Sequence, residues 1–338
     1  MSIKILTIGD PHTATRNISS RRDDYFETCK MKLNFVLKTA VNEKVDVIVI
    51  PGDLFHDKEE SKIGYKLIHL WFKFLKICEN HSIKVAAVPG NHDMLFHRQD
   101  VSDRPITLLC QKENFILVNN TPLLLSKDNI NLCITGSAFQ FGGDRGDIKE
   151  KSQYFPEKQQ NCNFHVHVTH GSLIPLSIVQ DFQFMDYTIL EELLNSNPNW
   201  DLLINGHIHW IGNDSIKEKN KKFSVNSGSL TRGSLKMENL KRGVKATLIE
   251  IVNLNGEISP LFSEVKIPYQ PADVIFDVNS YLETKKEDKD IAFFIEMLKE
   301  TTLSEESSNS NLEKLVSQSS VELSVKDKAL EYISKLSV

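Results

Sequence analysis

No run of about 18 consecutive apolar residues occurs in this 338-residue sequence, so no bilayer-spanning helix is expected. No Cys-x-x-Cys pair occurs either. The five cysteines, Cys29, Cys78, Cys110, Cys133 and Cys162, are odd in number and widely spaced. That spacing argues against a zinc ribbon or a disulfide framework, and it fits reduced thiols in a cytosol-like compartment. The opening residues read straight into a strand, without the basic, apolar and small-residue succession of a secretory signal, so a protein that is not secreted is expected. Nothing repeats at a fixed period. Neither sign of charge dominates: 40 Lys and Arg against 45 Asp and Glu leave a net −5 with histidine neutral. By itself that total argues weakly against a nucleic-acid partner, but it does not say where the charges sit. The 40% hydrophobic and 25% charged content excludes wholesale disorder, a collagen-like fibre and a membrane bundle. The length suggests one large domain and a smaller one.

What is present is an α/β alternation. Ile3 to Ile8, Val45 to Ile50 and Ile83 to Val88 are short, β-branched and apolar on both faces, as in strands covered on both sides. Between the first two, Phe26, Cys29, Leu33, Val36, Leu37 and Ala40 recur at helical spacing. Between the second and third, Ile63, Leu67, Trp71, Phe74, Leu75 and Cys78 do the same. Further strands are expected at Leu132 to Thr135, Phe164 to Thr169, Leu202 to Asn205, Phe223 to Asn226 and Val244 to Val252. A helix is expected from about Asp186, as a cap, to Leu194. The late strands have shorter connections, so part of the sheet should be antiparallel. Beyond Pro268 and Pro271 the pattern changes. A short strand (Val274 to Val278), a charged helix, a serine-rich linker at 301–320 and a last helix at 321–338 are expected, the last with an apolar face at Leu330 and Ile333 that needs a partner.

Five motifs end predicted strands: Gly9-Asp10-Pro11-His12, Gly52-Asp53-Leu54-Phe55-His56, Gly90-Asn91-His92-Asp93, His170-Gly171 and Gly206-His207-Ile208-His209. Ligand crevices in open α/β sheets lie outside the carboxyl ends of the strands, so the five can converge. Six of the eleven histidines fall in them. Asp10, His12, Asp53, Asn91, His170, His207 and His209 offer two carboxylates, one amide oxygen and four imidazoles. That is more than one metal needs, and it suits two first-row divalent ions with Asp53 able to bridge them. Two ions about 3.5–4 Å apart can clamp a phosphate and activate a water. His165 and His167 precede His170 in the same strand; His170 is read as the ligand because it ends the strand, and His167 as a core residue. His69, His81 and His97 carry no motif.

This set resembles the calcineurin-like metallophosphoesterase superfamily. Within it, GDLFH, GNHD and GHIH are similar to the nuclease subunit of SbcC–SbcD and meiotic-recombination type double-strand-break repair complexes. The motifs cover roughly residues 1 to 250. The resemblance implies a metallophosphoesterase β-sandwich, mixed sheets flanked by helices, over 1–267, a reduced DNA-capping region over 268–300, and a partner-binding helical tail. It implies one ion held by Asp10, His12, Asp53 and His209, and a second by Asp53, Asn91, His170 and His207. The ions would be manganese, with magnesium an alternative. His92 would be the general acid for the leaving 3′ oxygen, and His56 would orient the phosphate or His92. The implied protein is a homodimeric DNA exonuclease (3′→5′) and single-strand endonuclease, cytoplasmic and nucleoid-associated, working with an SbcC-type coiled-coil ATPase. Two rivals remain: a small-molecule or protein phosphoesterase of the same superfamily, and a non-catalytic DNA-end or ATPase-binding scaffold. Pro11 departs from many relatives but removes neither neighbouring ligand.

Charge is uneven along the chain. Residues 214–245 carry nine basic and three acidic side chains, whereas 283–338 carry eight basic and twelve acidic. Lys217, Lys219, Lys221 and Lys222 are therefore candidate DNA-phosphate contacts, unless they only guard a solvated hairpin. Arg232, in a GSLTRGS stretch resembling a loop near the family's active site, is the better candidate.

Overall fold

In the computed structural model the described residues are 2–18, 21–95, 100–182, 185–196, 198–210, 215–233, 242–278 and 330. The chain divides into a unit Met1–Ile275 and a unit Phe276–Val338. Residues 279–300 of the expected capping region, the expected linker 301–320 and, Leu330 apart, the expected tail helix lie outside the described residues. His97, Lys236 and Lys241 do as well.

The strands run in chain order as β1 Ile3–Ile8, β2 Val47–Ile50, β3 Lys84–Ala87, β4 Phe115–Leu117, β5 Leu123–Lys127, β6 Ile130–Ser137 and β7 Phe164–His170. Then come β8 Leu173–Ile174, β9 Thr188–Ile189, β10 Leu202–Gly206, β11 Ile216–Lys219, β12 Lys222–Val225, β13 Lys245–Leu254 and β14 Glu257–Lys266. Two six-stranded mixed sheets result, with orders β14-β13-β1-β2-β3-β4 and β11-β12-β10-β7-β6-β5. Strands β1 to β4 are mutually parallel, and β13 closes on β1 antiparallel. In the second sheet β6, β7, β10 and β12 are parallel, with β5 and β11 antiparallel at the edges.

The two-faced apolar strands are explained by this sandwich. Ile3, Ile5, Val47 and Val49 of the first sheet share a core with Ile134, Val166, Val168, Leu202 and Ile204 of the second. Their neighbours Leu6, Ile8, Ile48 and Ile50 point the other way, onto α1 (Tyr25–Asn42) and α2 (Tyr65–Asn80). Asp24 caps α1 by accepting the Glu27 N–H at 3.1 Å. Trp71, Phe74 and Leu75 of α2 are buried against the sheet, each stabilising it by roughly 1.5–3 kcal/mol. The outer side of the second sheet is packed by Tyr154, Leu193 and Trp200.

Three expectations are corrected. The helix expected from Asp186 begins at Leu190 and runs Leu190–Asn195. Asp186 does not cap it, because its carboxylate is 2.6 Å from Arg145 Nε, and Thr188–Ile189 pairs as β9 with β8. Val274 to Val278 is not a strand; Ala272–Ile275 is a helical turn, with the Pro271 carbonyl accepting the Val274 and Ile275 N–H groups. Proline's fixed φ starts such a turn readily. Strands β4, β5, β8, β9, β11 and β14, whose signals are short or broken by charged residues, fall where the sequence predicts no strand. None of the five cysteines is joined in a disulfide in this structure.

Candidate metal centre

Parallel pairing brings the carboxyl ends of β1, β2, β3, β7 and β10 to one end of the sandwich, and each of the five motifs follows or ends one of those strands. The loops after β1 and β2 are then laced together. His12 N–H donates to the Asp53 carbonyl (2.9 Å), Thr13 N–H to that of Leu54 (2.9 Å), and His56 N–H back to that of Thr13 (3.0 Å). Three of the candidate ligands sit in left-handed backbone: His12 at φ 44°, Asp53 at 50° and His207 at 75°. Such conformations are costly for non-glycine residues and concentrate at functional sites, held by their surroundings.

The seven candidate ligands do come together. Ligand atoms of Asp10, His12, Asp53 and His209 all lie within 4.8 Å of one another. His12 Nε2 is 2.9 Å from His209 Nε2 and 3.4 Å from Asp53 Oδ2, and His209 Nε2 is 3.4 Å from Asp10 Oδ2. On the other side of Asp53, its Oδ2 is 3.4 Å from His170 Nε2. Asn91 Oδ1 lies 3.2 Å from His170 Nε2 and 3.0 Å from His207 Nδ1. Asp53 thus stands between two donor groups.

Hydrogen bonding fixes how these donors face. His170 Nδ1 lies 2.6 Å from the Pro51 carbonyl, which can only accept, so Nδ1 carries a proton and Nε2 faces Asp53 and Asn91, where a cation could displace its proton. A backbone carbonyl accepting from the other ring N–H is a usual outer partner of a metal-binding histidine. Asp10 Oδ1 is buried without a hydrogen-bond partner, while its Oδ2 accepts the His207 N–H at 2.9 Å. Two imidazole nitrogens 2.9 Å apart, a buried orphan carboxylate oxygen and a mixed nitrogen and oxygen donor set fit divalent first-row cations.

The electrostatics agree. Burial pushes the Asp53 carboxyl upward, but His170 and His12 outweigh it and hold the group well below the usual carboxylate range. Burial depresses His170, yet Asp53 and Asp10 lift it to about 9. The potential that draws a proton to His170 would equally draw a cation. Burial and His170 together drive His207 down to about 4.

His56 and His92 join from the β2 and β3 loops. With His12 they form a second group whose ring nitrogens lie within 4.8 Å of one another. His92 Nδ1 is 2.5 Å from the His56 carbonyl, so it is the donor there and Nε2 faces away. The His92 N–H donates to Asp53 Oδ1 at 2.8 Å. By contrast His165 and His167 are structural: Thr135 Oγ1 lies 2.7 Å from His165 Nε2 and 2.8 Å from His167 Nδ1, and their other nitrogens are 2.9 Å from the carbonyls of Asn199 and Gln153.

The basic candidates lie elsewhere. Asn220 and Lys221 (φ 53° and 59°) make the tight turn between β11 and β12. Since β12 runs parallel to β10, that turn is at the amino end of β10, opposite His207. Four residues of strand, about 13 Å, intervene. There Lys221 pairs with Glu257 (2.6 Å) and Lys222 with Asp201 (3.3 Å), while Lys217 comes within 4.0 Å of Glu191 and Lys219 sits at the edge. Arg232 is buried, donating to the Gln270 carbonyl with its guanidinium 4.7 Å over the Tyr269 ring. This placement turns it to the protein interior instead of a surface phosphate.

Several positioning residues carry little or no signal in the sequence. Asp93, inside GNHD, accepts the N–H groups of Gly90 (2.9 Å), Leu54 (3.3 Å) and Phe55 (3.3 Å), tying the β2 and β3 loops together. Burial and the charge of Asp53 raise its carboxyl to about 7, against the pull of those N–H groups. Asn205 clamps Gly171, accepting its N–H (3.2 Å) and donating to its carbonyl (2.9 Å). Beneath the β1 loop, Leu230 N–H donates to the Asp10 carbonyl (3.1 Å). The 229–232 segment is held in turn by buried cations: Lys32 Nζ donates to Leu230 O (2.7 Å), Arg242 to Ser229 O (2.9 Å) and Arg21 to Arg232 O (2.7 Å). These long-range contacts to carbonyls leave no local sequence pattern.

Comparison with known proteins adds three findings. The family model described as calcineurin-like phosphoesterase matches residues 3–210, a span that holds all seven donors. A DNA double-strand break repair protein Mre11 from Aeropyrum pernix is 29% identical over 92 residues, 27% of this chain and 21% of that protein. The chain therefore matches about a fifth of this relative's length. Among solved structures, one described as a 5′-nucleotidase from Staphylococcus aureus in complex with alpha-ketoglutarate aligns with a TM-score of 0.52 at 13% identity. That alignment covers 85% of this chain and 58% of that one, and it is a likeness of fold.

Proposed function

The chain belongs to the calcineurin-like phosphoesterase family, and from that premise we propose that it is a two-metal phosphoester hydrolase. The observation that carries this reading is the pair of donor groups sharing Asp53. One group is Asp10, His12, Asp53 and His209; the other is Asp53, Asn91, His170 and His207. When bound, two divalent ions would supply Lewis acidity toward the phosphoryl oxygens and a more acidic attacking water.

The chain's own residues do the rest. Pro51, through His170 Nδ1, keeps that imidazole in the tautomer that presents Nε2. His92, held through Nδ1 by the His56 carbonyl and through its backbone N–H by Asp53, keeps Nε2 for the leaving group; protonated there, it gives that proton to the departing oxygen. His56 sets His92's position by its backbone. Phe139, with its ring 5.4 Å from that of His207, forms an apolar wall beside the group that holds His170 and His207.

The broad substrate reading, an ester of a small molecule or protein, draws on the family and the donor set alone. The narrower reading is DNA: a manganese-dependent exonuclease and endonuclease working as a homodimer with an SbcC-type ATPase. It is favoured by His56 of GDLFH lying beside His12 and His92, ring centroids 5.8 and 5.7 Å away. The 92-residue likeness to the Aeropyrum pernix repair protein also favours it. A substrate panel with Mn2+ separates the readings. Mononucleotides released from duplex ends support the nuclease, while turnover of small phosphoesters with all DNA left intact removes it. For the acid role, His92→Ala should lower kcat about 10²–10⁴-fold while two ions still bind; an unchanged kcat refutes it.

A further inference from the structure

We propose that the cleft beside His209, where the open end of the β13–β14 hairpin faces residues 226–228, is a nucleotide subsite that seats the unit of the substrate next to the phosphate being cleaved. The proposal rests on the phosphoester-hydrolase reading and names its substrate class.

The cleft has a volume of about 540 Å³, inside the ~300–1,000 Å³ range of small-ligand sites. His209, a candidate metal ligand, is part of its wall, so a ligand there is continuous with the metal centre. Its position follows from register: Ala246 pairs with Ile8 at the carboxyl end of β1, and Lys245 with Lys266, so the mouth of this hairpin opens at the metal end of the sandwich. Three cations line it, Arg242, Lys245 and Lys266, against one carboxylate, Glu264. Arg242 is fixed by donating to the Ser229 carbonyl (2.9 Å) and the Thr231 carbonyl (2.8 Å). Lys245 Nζ is steered by Ser215 Oγ (2.9 Å) and Glu264 (3.1 Å). Two aromatic side chains line it as well, the half-buried Trp210 and Tyr269, a residue 45% exposed whose ring also carries the Arg232 guanidinium at 4.7 Å. Excess positive charge calls for an anion, and the exposed Tyr269 beside it calls for a flat ring. A nucleotide has both, and ring stacking tolerates any base. This is also where the basic segment contributes to the metal end of the fold, since its lysine-rich turn lies at the other end.

The test uses the full chain stripped of metal with chelator, so that binding is read without turnover. Thymidine 5′-monophosphate, thymidine and inorganic phosphate are titrated calorimetrically into wild type, Lys266→Glu and Tyr269→Ala. Wild type should bind the nucleotide more tightly than either fragment. Lys266→Glu should weaken nucleotide and phosphate about tenfold or more. Tyr269→Ala should weaken the nucleotide several-fold and leave phosphate unchanged. No saturable nucleotide binding, or equal affinity in all three proteins, overturns the subsite. Phosphate binding as tight as nucleotide overturns the base-stacking part. Because no turnover is measured, an enzyme inactive on every phosphoester would refute the hydrolase reading while these titrations still decide the cleft.

Discussion

Replacing Gly206 by alanine would plant a Cβ 2.5 Å from Asp10 Oδ1, 2.5 Å from the Pro51 carbonyl oxygen and 2.9 Å from His170 Nδ1. All three belong to the candidate centre, and none is free to retreat. Asp10 is held by the His207 N–H through its other oxygen, and Pro51 O and His170 Nδ1 are bound to each other at 2.6 Å. Gly206 itself does not have positive φ, so the whole cost is steric. Overpacking of this kind costs about 1–3 kcal/mol. Because the strain falls on donors, it should surface as metal affinity. At about 1.4 kcal/mol per tenfold, the loss is about 5- to 150-fold. The assay is calorimetric titration of Mn2+ into metal-free protein, with the thermal midpoint measured alongside. Gly64→Ala, where an added Cβ meets nothing within 4 Å, is the control and should bind metal like wild type. Two ions bound by Gly206→Ala at wild-type affinity would refute the reasoning, since Asp10 and His170 could then not be ligands held in place by these contacts.

Other outcomes follow from the same geometry. Adding Mn2+ at a hundredfold excess over Kd should raise stability by about 2.7 kcal/mol per site; the shift should shrink in Asp53→Asn, and an equal shift in that variant would exclude Asp53 as a shared ligand. Thr135→Val removes the hydroxyl between His165 Nε2 and His167 Nδ1 and should cost about 2 kcal/mol or more in urea unfolding, whereas a change below about 0.5 kcal/mol would show the pair to be water-bridged. Burial lowers His167 to about 3, below its unfolded value of about 6.5. The unfolded chain therefore takes up the proton first, and the fold loses stability as pH falls from 6.5 toward 3, by at most about 1.4 kcal/mol per unit. The stability gap between wild type and His167→Gln should narrow between pH 7 and 5.5; a constant gap contradicts the neutral, buried imidazole.

The chemistry of the site was legible locally. Each motif joins a strand end to a sharp turn carrying a candidate metal-binding side chain, and both are written in a few adjacent residues. Two-faced apolar runs marked the buried parallel strands, and helical spacing marked α1 and α2, because burial imposes its period on neighbouring positions. His170 could be told from His165 and His167 by its place at the strand's end, and the structure gives the reason: the two earlier rings are spent on Thr135 inside the sheet.

What the sequence could not convey depends on which strands pair and in which direction. A run of lysines close to His209 along the chain is carried to the far end of β10 because β12 lies parallel to it. Arg242, Lys245 and Lys266, separated in sequence, meet at the metal end because β13 and β14 form a hairpin whose open side faces there. Asp93, Lys32 and Tyr25 act on backbone groups: Asp93 on amides from 3 to 39 residues away, Lys32 on a carbonyl 198 residues away and Tyr25 on one 13 away. Residue type and spacing therefore determined the candidate ligands, whereas the sheet's long-range register decided which charges stand beside them.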